Sequence, residues 1–97
     1  MHDTVSIEGR VTIDNSGEMR DRLAVALRPK PAEVTVDLSL VTYIEMSGLA
    51  TLVEAFRIAR QQETRLVLTG IQGQVRYLLE VTRLNQLFDI VTEQGNA

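Results

Sequence analysis

Apolar residues along the chain recur at two different spacings, and the switches between them divide the chain into alternating elements. Residues 4–8 alternate Val5 and Ile7 with polar neighbours, the period of a half-buried strand. Gly9 ends or bends that run, while Val11 and Ile13 keep residues 10–13 extended. Asp14-Asn15-Ser16-Gly17 gathers turn and cap formers. Ser16 suits an N-cap, since its oxygen can accept a free amide of the first turn. A helix is predicted from there to about Leu27. Met19, Leu23, Val25, Ala26 and Leu27 form its apolar side, and Arg20, Asp21, Arg22 and Arg28 face water. Pro29 and Pro31 stop it, because neither donates a backbone hydrogen bond.

Residues 33–38 return to period two and form the central strand. Leu49, Leu52, Val53, Phe56 and Ala59 then recur at helical spacing, which predicts a helix over about 47–61 with those residues buried. Glu54, Arg57 and Arg60 mark its wet edge, and 61–64 is a polar connection. Residues 65–69 are nearly all apolar, as in a strand covered on both faces. Gly70 breaks that run. A third helix is predicted over 72–82, with Val75, Leu78, Leu79 and Thr82 inward. A short turn at 84–88, a last strand at 89–92 and a frayed tail at 93–97 complete the chain. Strands alternating with helices imply an α/β fold with a mainly parallel sheet.

Composition narrows the function classes. A chain of 97 residues fits one domain, here 1–97, and buries roughly two thirds of its unfolded surface without staples. There is no cysteine, so disulfides and thiolate metal sites are excluded, and a cytoplasmic setting is compatible. A net charge of -3 argues against nucleic acid or an anionic membrane as partner. No apolar run reaches the roughly 18 residues of a membrane span. Met1-His2-Asp3-Thr4 has neither the basic nor the apolar part of a signal peptide.

Candidate chemistry is sparse. The one histidine, His2, is terminal and reads as a surface residue, so no nucleophile–base pair is available. No phosphate-cradling P-loop is present, and Gly70-Ile71-Gln72-Gly73 reads as a turn. Asp14, Glu18, Glu45 and Glu54 lack metal-ligand spacing and read as solvated charge. These absences argue against an enzyme, and no cofactor is expected. The 44–48 crossing from strand to helix is where side chains are best displayed. Ser47 reads as the N-cap of the second helix. Met46 offers a flexible apolar contact. Arg57 and Arg60 share a helix face, as a solvated edge or as the polar rim of a protein-binding surface.

At this crossing the chain resembles a known family. Asp37-Leu38-Ser39 followed by Ile44-Glu45-Met46-Ser47-Gly48-Leu49 is similar to the core signature of STAS domains, the anti-sigma factor antagonists. Leu66-Val67-Leu68-Thr69-Gly70 and Val75-Arg76-Tyr77-Leu78-Leu79-Glu80-Val81-Thr82-Arg83-Leu84 resemble later segments of that family. Val5-Ser6-Ile7-Glu8-Gly9-Arg10-Val11 resembles an early strand. The resemblance implies a STAS-like mixed, mainly parallel sheet of four to five strands with helices packed on it, here short at both termini.

It further implies a cytoplasmic, non-enzymatic regulator whose partner is a serine-kinase anti-sigma factor. The contact surface is then the loop Glu45, Met46, Ser47 and Gly48, with Arg57 on the following helix. Some small STAS-like proteins are instead accessory subunits that bind the ATPase of a lipid-transport ABC complex, which is the alternative partner. The family's loop reads D-S-S-G or D-T-S-G and is phosphorylated on the hydroxyl after the acid. Here that position is Met46, which cannot accept phosphate, and Glu45 replaces the acid. Ser47 is the candidate phosphorylation site left. A first strand at the sheet edge also offers unpaired main chain to a second copy, which predicts a homodimer.

Overall fold

A computed structural model describes residues 2–91. Its strands are β1 (His2–Val11), β2 (Glu33–Ile44), β3 (Arg65–Thr69) and β4 (Asp89–Val91). Its helices are α1 (Ser16–Leu27), α2 (Met46–Gln61) and α3 (Gly73–Val81), with a 3-10 turn at Leu84–Gln86. The strands lie in the order β1-β2-β3-β4. Every neighbouring pair is parallel. The predicted tail at 93–97 lies outside the described residues.

β2 is much longer than its alternation foretells. Ser6 pairs with Asp37 but Glu8 with Leu40, and Gly9 pairs with Val41 but Arg10 with Tyr43. At each of these points β2 spends one residue more than β1, so it carries two bulges. A bulge resets which face the next side chain takes. Val34, Val36 and Leu38 are buried in strict alternation, and burial then resumes at Val41 and Ile44. The period-two pattern thus fails at Leu38 although the strand does not.

One core joins one sheet face to all three helices. Val5, Ile7, Val36, Leu38 and Leu68 from the strands meet Leu23, Leu27, Leu49, Leu52, Val75 and Leu79 from the helices. The alternate face is polar, with Thr4, Ser6 and Glu8 exposed and Thr35 and Asp37 half-buried. Val67 is buried too but lies outside that cluster. On this face Arg65 bridges three strands, reaching Asp89 and Glu33, each at 3.1 Å. The Asp89 hydrogen bond, and then that of Glu33, holds its guanidinium above the ordinary arginine value. Arg65 therefore ties β3 to both of its neighbours across this face.

The strand N-terminal end is tied by side chains. Gln62 Nε2 donates to the Leu27 carbonyl at 2.7 Å and to Thr64 Oγ1 at 2.9 Å. Thr64 Oγ1 donates to the Pro31 carbonyl at 2.6 Å. This stretch, which reads as a polar connection, contains a buried Thr64 and joins two loops. Ser16 is not an N-cap but the first residue of α1, and it is buried. Asn15 precedes it and braces the turn, accepting from Thr12 N–H and donating to the Arg10 carbonyl, both at 2.8 Å.

On α2, Leu49 and Leu52 are buried as expected, whereas Val53 and Phe56 are only half-buried. Phe56 meets Phe88 edge to face at 5.6 Å. Among the described residues no helix is long and apolar enough to cross a membrane. The burial difference gives a test. Leu52→Ala should cost about 3 kcal/mol in urea unfolding, because it opens a fully enclosed site. Phe56→Ala should cost less, about 2 kcal/mol, because part of the ring already faces water.

Candidate functional site

The strand-to-helix crossing is a single residue wide. β2 ends at Ile44, Glu45 is extended, and α2 begins at Met46. Main-chain bonds fix the crossing, with Glu45 N–H donating to the Val11 carbonyl at 2.9 Å. Gly48 N–H and Leu49 N–H donate back to the Glu45 carbonyl at 2.9 and 3.2 Å. The Glu45 carboxylate does not cap α2. Its Oε1 accepts from Ile13 N–H at 3.2 Å, so it ties the loop after β1 to the crossing.

Gly48 is the tight point. A Cβ there would lie 2.6 Å from Ile44 Cγ1 and 2.8 Å from Val11 Cγ1. The first turn of α2 therefore rests directly on β1 and β2, and only a glycine permits that approach. Gly70 does the same at the end of β3, at φ +73°, where a Cβ would fall 2.6 Å from Ser39 N.

The far side of Ile44 has no strand to pair with, because β3 pairs with β2 only from Glu33 to Asp37. Side chains complete it. Gln74 Oε1 accepts from Ile44 N–H at 2.8 Å, and its Nε2 donates to the Ile44 carbonyl at 2.9 Å. Gln72 Nε2 donates to the Ser39 carbonyl at 2.7 Å. The primary amide of Gln74 thus imitates a strand neighbour and holds the residue on which the crossing turns.

The expected site residues separate into two groups. Met46 is exposed, and it shares a stripe of α2 with Ala50, Val53 and Arg57 at helical spacing. With Leu49 and Leu84 they line an open groove of about 440 Å³. Glu45, Ser47 and Gly48 do not line it. Ser47 is not the N-cap, since it is the second residue of α2. Its residue is half-buried, and its Oγ is shut from solvent without a hydrogen-bond partner. The expected accessibility of Ser47 therefore fails. The helix phase turns its hydroxyl toward the protein while Met46 points out. Arg57 and Glu54 are exposed as expected.

The family model described as "Mlab, STAS domain" matches residues 1–92. The chain belongs to the STAS domain family. It is 27% identical over 94 residues to an anti-sigma-B factor antagonist of Listeria monocytogenes, covering 97% of this chain and 82% of that protein. Among solved structures it is similar to an anti-sigma factor antagonist from Mycobacterium paratuberculosis, with TM-score 0.82 and 17% identity over 90% of this chain and 74% of that one. It is also similar to the anti-sigma factor antagonist SpoIIAA in its unphosphorylated form, with TM-score 0.78 and 13% identity over 98% of this chain and 84% of that one.

Two residues of this STAS domain's crossing escape sequence reasoning. Gln74 looks like an ordinary polar position on α3, and Leu84 falls in a stretch that reads as a turn. Their relevance comes from long-range contact, which no local pattern signals. Gly48→Ala should destabilise the STAS domain by about 1–3 kcal/mol, because Ile44 and Val11 must move. Gln74→Ala should cost about 1–3 kcal/mol and speed amide exchange at Ile44, whose N–H and carbonyl lose their partner. Arg57→Ala should stay within about 0.5 kcal/mol of wild type. Chemical unfolding with amide-resolved hydrogen exchange measures all three.

Proposed function

We propose that this STAS domain is a cytoplasmic, non-enzymatic binding protein, an anti-sigma factor antagonist that engages a serine-kinase anti-sigma factor and so frees a sigma factor. The observation that carries this reading is the stripe of exposed Met46, Ala50 and Arg57 with half-buried Val53 beside the family's loop. An adaptable thioether and small apolar groups at the centre, with charge at the edge, is the composition of a protein contact. The relative named an anti-sigma-B factor antagonist supports the same class of partner.

The usual phosphoswitch is absent in this reading. Met46 occupies the accepting position and is 58% exposed, so a kinase meets a thioether there. Ser47 carries a hydroxyl but keeps it enclosed. Phosphate on the loop would add about -1.5 to -2 charge at a contact surface and break the complex. Without an acceptor the domain binds constitutively.

The same observation favours a second partner. A loop freed from phosphorylation suits a contact outside the sigma pathway, and an ABC-transporter ATPase is that alternative.

Two experiments test the proposal. In the first, wild type, Met46→Ser and Ser47→Ala are incubated with the kinase and read by intact mass. Wild type and Ser47→Ala should stay unmodified, and Met46→Ser should gain one phosphate. A single phosphate on wild type that Ser47→Ala removes would overturn the lost switch. In the second, calorimetry compares wild type with Arg57→Ala and Met46→Glu against the anti-sigma factor and against the ATPase. Both variants should weaken the true partner about tenfold or more, equal to about 1.4 kcal/mol. Binding to the ATPase alone would reject the sigma-pathway assignment.

A further inference from the structure

The groove on α2 holds a group whose chemistry a simple contact leaves unused, the thioether of Met46. The chain has three methionines and no cysteine, so its oxidisable sulfur is methionine sulfur alone. Met19 is 3% exposed and belongs to the core, whereas Met46 is 58% exposed. Access of an oxidant follows exposure. Among the described residues, Met46 therefore carries the sulfur that a peroxide dissolved in water meets first.

The surroundings of that sulfur decide what an added oxygen does. Met46 is the first residue of α2, and the groove residues one turn on from it are Leu49 and Ala50. The charged groups of the groove lie further along the helix. Glu54 is drawn toward Arg20 of α1 at 3.8 Å, and Arg57 stands about three turns from Met46. A sulfoxide oxygen covered by a partner here would give up its water among apolar neighbours, which is unfavourable. In the free domain the same oxygen stays hydrated. It also lies at a helix N-terminus with no acidic residue in its first turn and no side-chain cap, where a negative dipole end is welcome. Oxidation at Met46 thus opposes the complex and spares the fold.

We infer that Met46 is an oxidation switch on this groove, at which peroxide converts the thioether to a sulfoxide and releases the bound partner. The inference rests on the proposed reading of the groove as the partner contact. The sulfur lone pair attacks one oxygen of hydrogen peroxide, the O–O bond breaks, and the second oxygen leaves as water. Sulfur loses two electrons and the peroxide gains them. A sulfoxide reductase with a thiol reductant reverses the step: the oxygen leaves as water while two thiols become a disulfide. The loop position that takes phosphate in the family's signature thus takes an oxygen here. A sulfoxide is neutral, so it acts by spoiling an apolar contact and not by repulsion.

The test treats the full chain with hydrogen peroxide and follows each methionine by peptide mass mapping, with circular dichroism as the check on fold. Met46 should gain one oxygen at least tenfold faster than Met19, with the spectrum unchanged. Calorimetry then uses whichever of the anti-sigma factor and the ABC ATPase binds the reduced domain. Oxidation should weaken that complex at least tenfold, and sulfoxide reductases of both epimer specificities should restore it. Met46→Gln, whose amide imitates the sulfoxide, should bind as weakly as the oxidised wild type without any peroxide. Met46→Leu, whatever its own affinity, should bind equally before and after peroxide, which excludes Met1 as the source of the effect. Three results would overturn the switch: Met46 oxidising no faster than Met19, an oxidised wild type that binds as tightly as the reduced one, or a loss that persists in Met46→Leu. A reduced domain that binds neither protein rejects the proposed function and the switch with it. A tight reduced complex indifferent to peroxide rejects the switch alone.

Discussion

Helix α2 can lie against the sheet only where its first turn has no side chain to interpose. At Gly48 the main chain of α2 comes within a carbon's radius of Ile44 and Val11. That contact sets the height of the helix above β1 and β2, and with it the burial of Leu49 and Leu52. It also sets the rotation of the helix. With Gly48 turned to the sheet, Met46 must point out, and the Ser47 hydroxyl is carried to the protein side. The display of one side chain and the concealment of its neighbour are one geometric fact.

A strand that outruns its partner needs other groups to satisfy its main chain. β2 continues well past the end of β3, so the half leading to the crossing has a neighbour on one side only. Asp37 Oδ1 accepts from Ser39 N–H at 2.9 Å, Gln72 takes the Ser39 carbonyl, and Gln74 takes both groups of Ile44. These side chains replace the missing strand at the cost of their own freedom. In return the crossing is held by polar contacts from three directions: Val11 from β1, Ile13 through Glu45, and Gln74 from α3.

The two faces of the sheet divide the work. The face under the helices holds the core and carries stability. The other face is polar and is braced across β2, β3 and β4 by Arg65. Parallel sheets are usually covered on both faces. Here the polar residues on the alternate positions of β1 and β2 let one face meet water, which sequence periodicity had already encoded. The groove on α2 lies apart from the polar face, on the helical side.

Much of this was legible in the residues. Periods of two and of three to four placed β1, the first half of β2 and the three helices, and a short apolar run placed β3, because burying the faces of an element is a local demand on spacing. The signature around Asp37 and Ile44 to Leu49 led to the STAS family, and the swap of a hydroxyl residue for Met46 was visible without coordinates. Three things were not legible. The bulges that carry β2 on to Ile44 depend on pairing with β1, and they erase the alternation by which a strand is recognised. Ser47 reads as a cap from its neighbours, yet the close packing of Gly48 moves the helix start back to Met46 and turns the hydroxyl inward. Gln74 gains its role only because α3 is folded over the end of β2, thirty positions away in sequence. Local spacing is set by which face is buried. Register, helix phase and long-range hydrogen bonds are set by what lies opposite, and that is decided only when the chain has closed on itself.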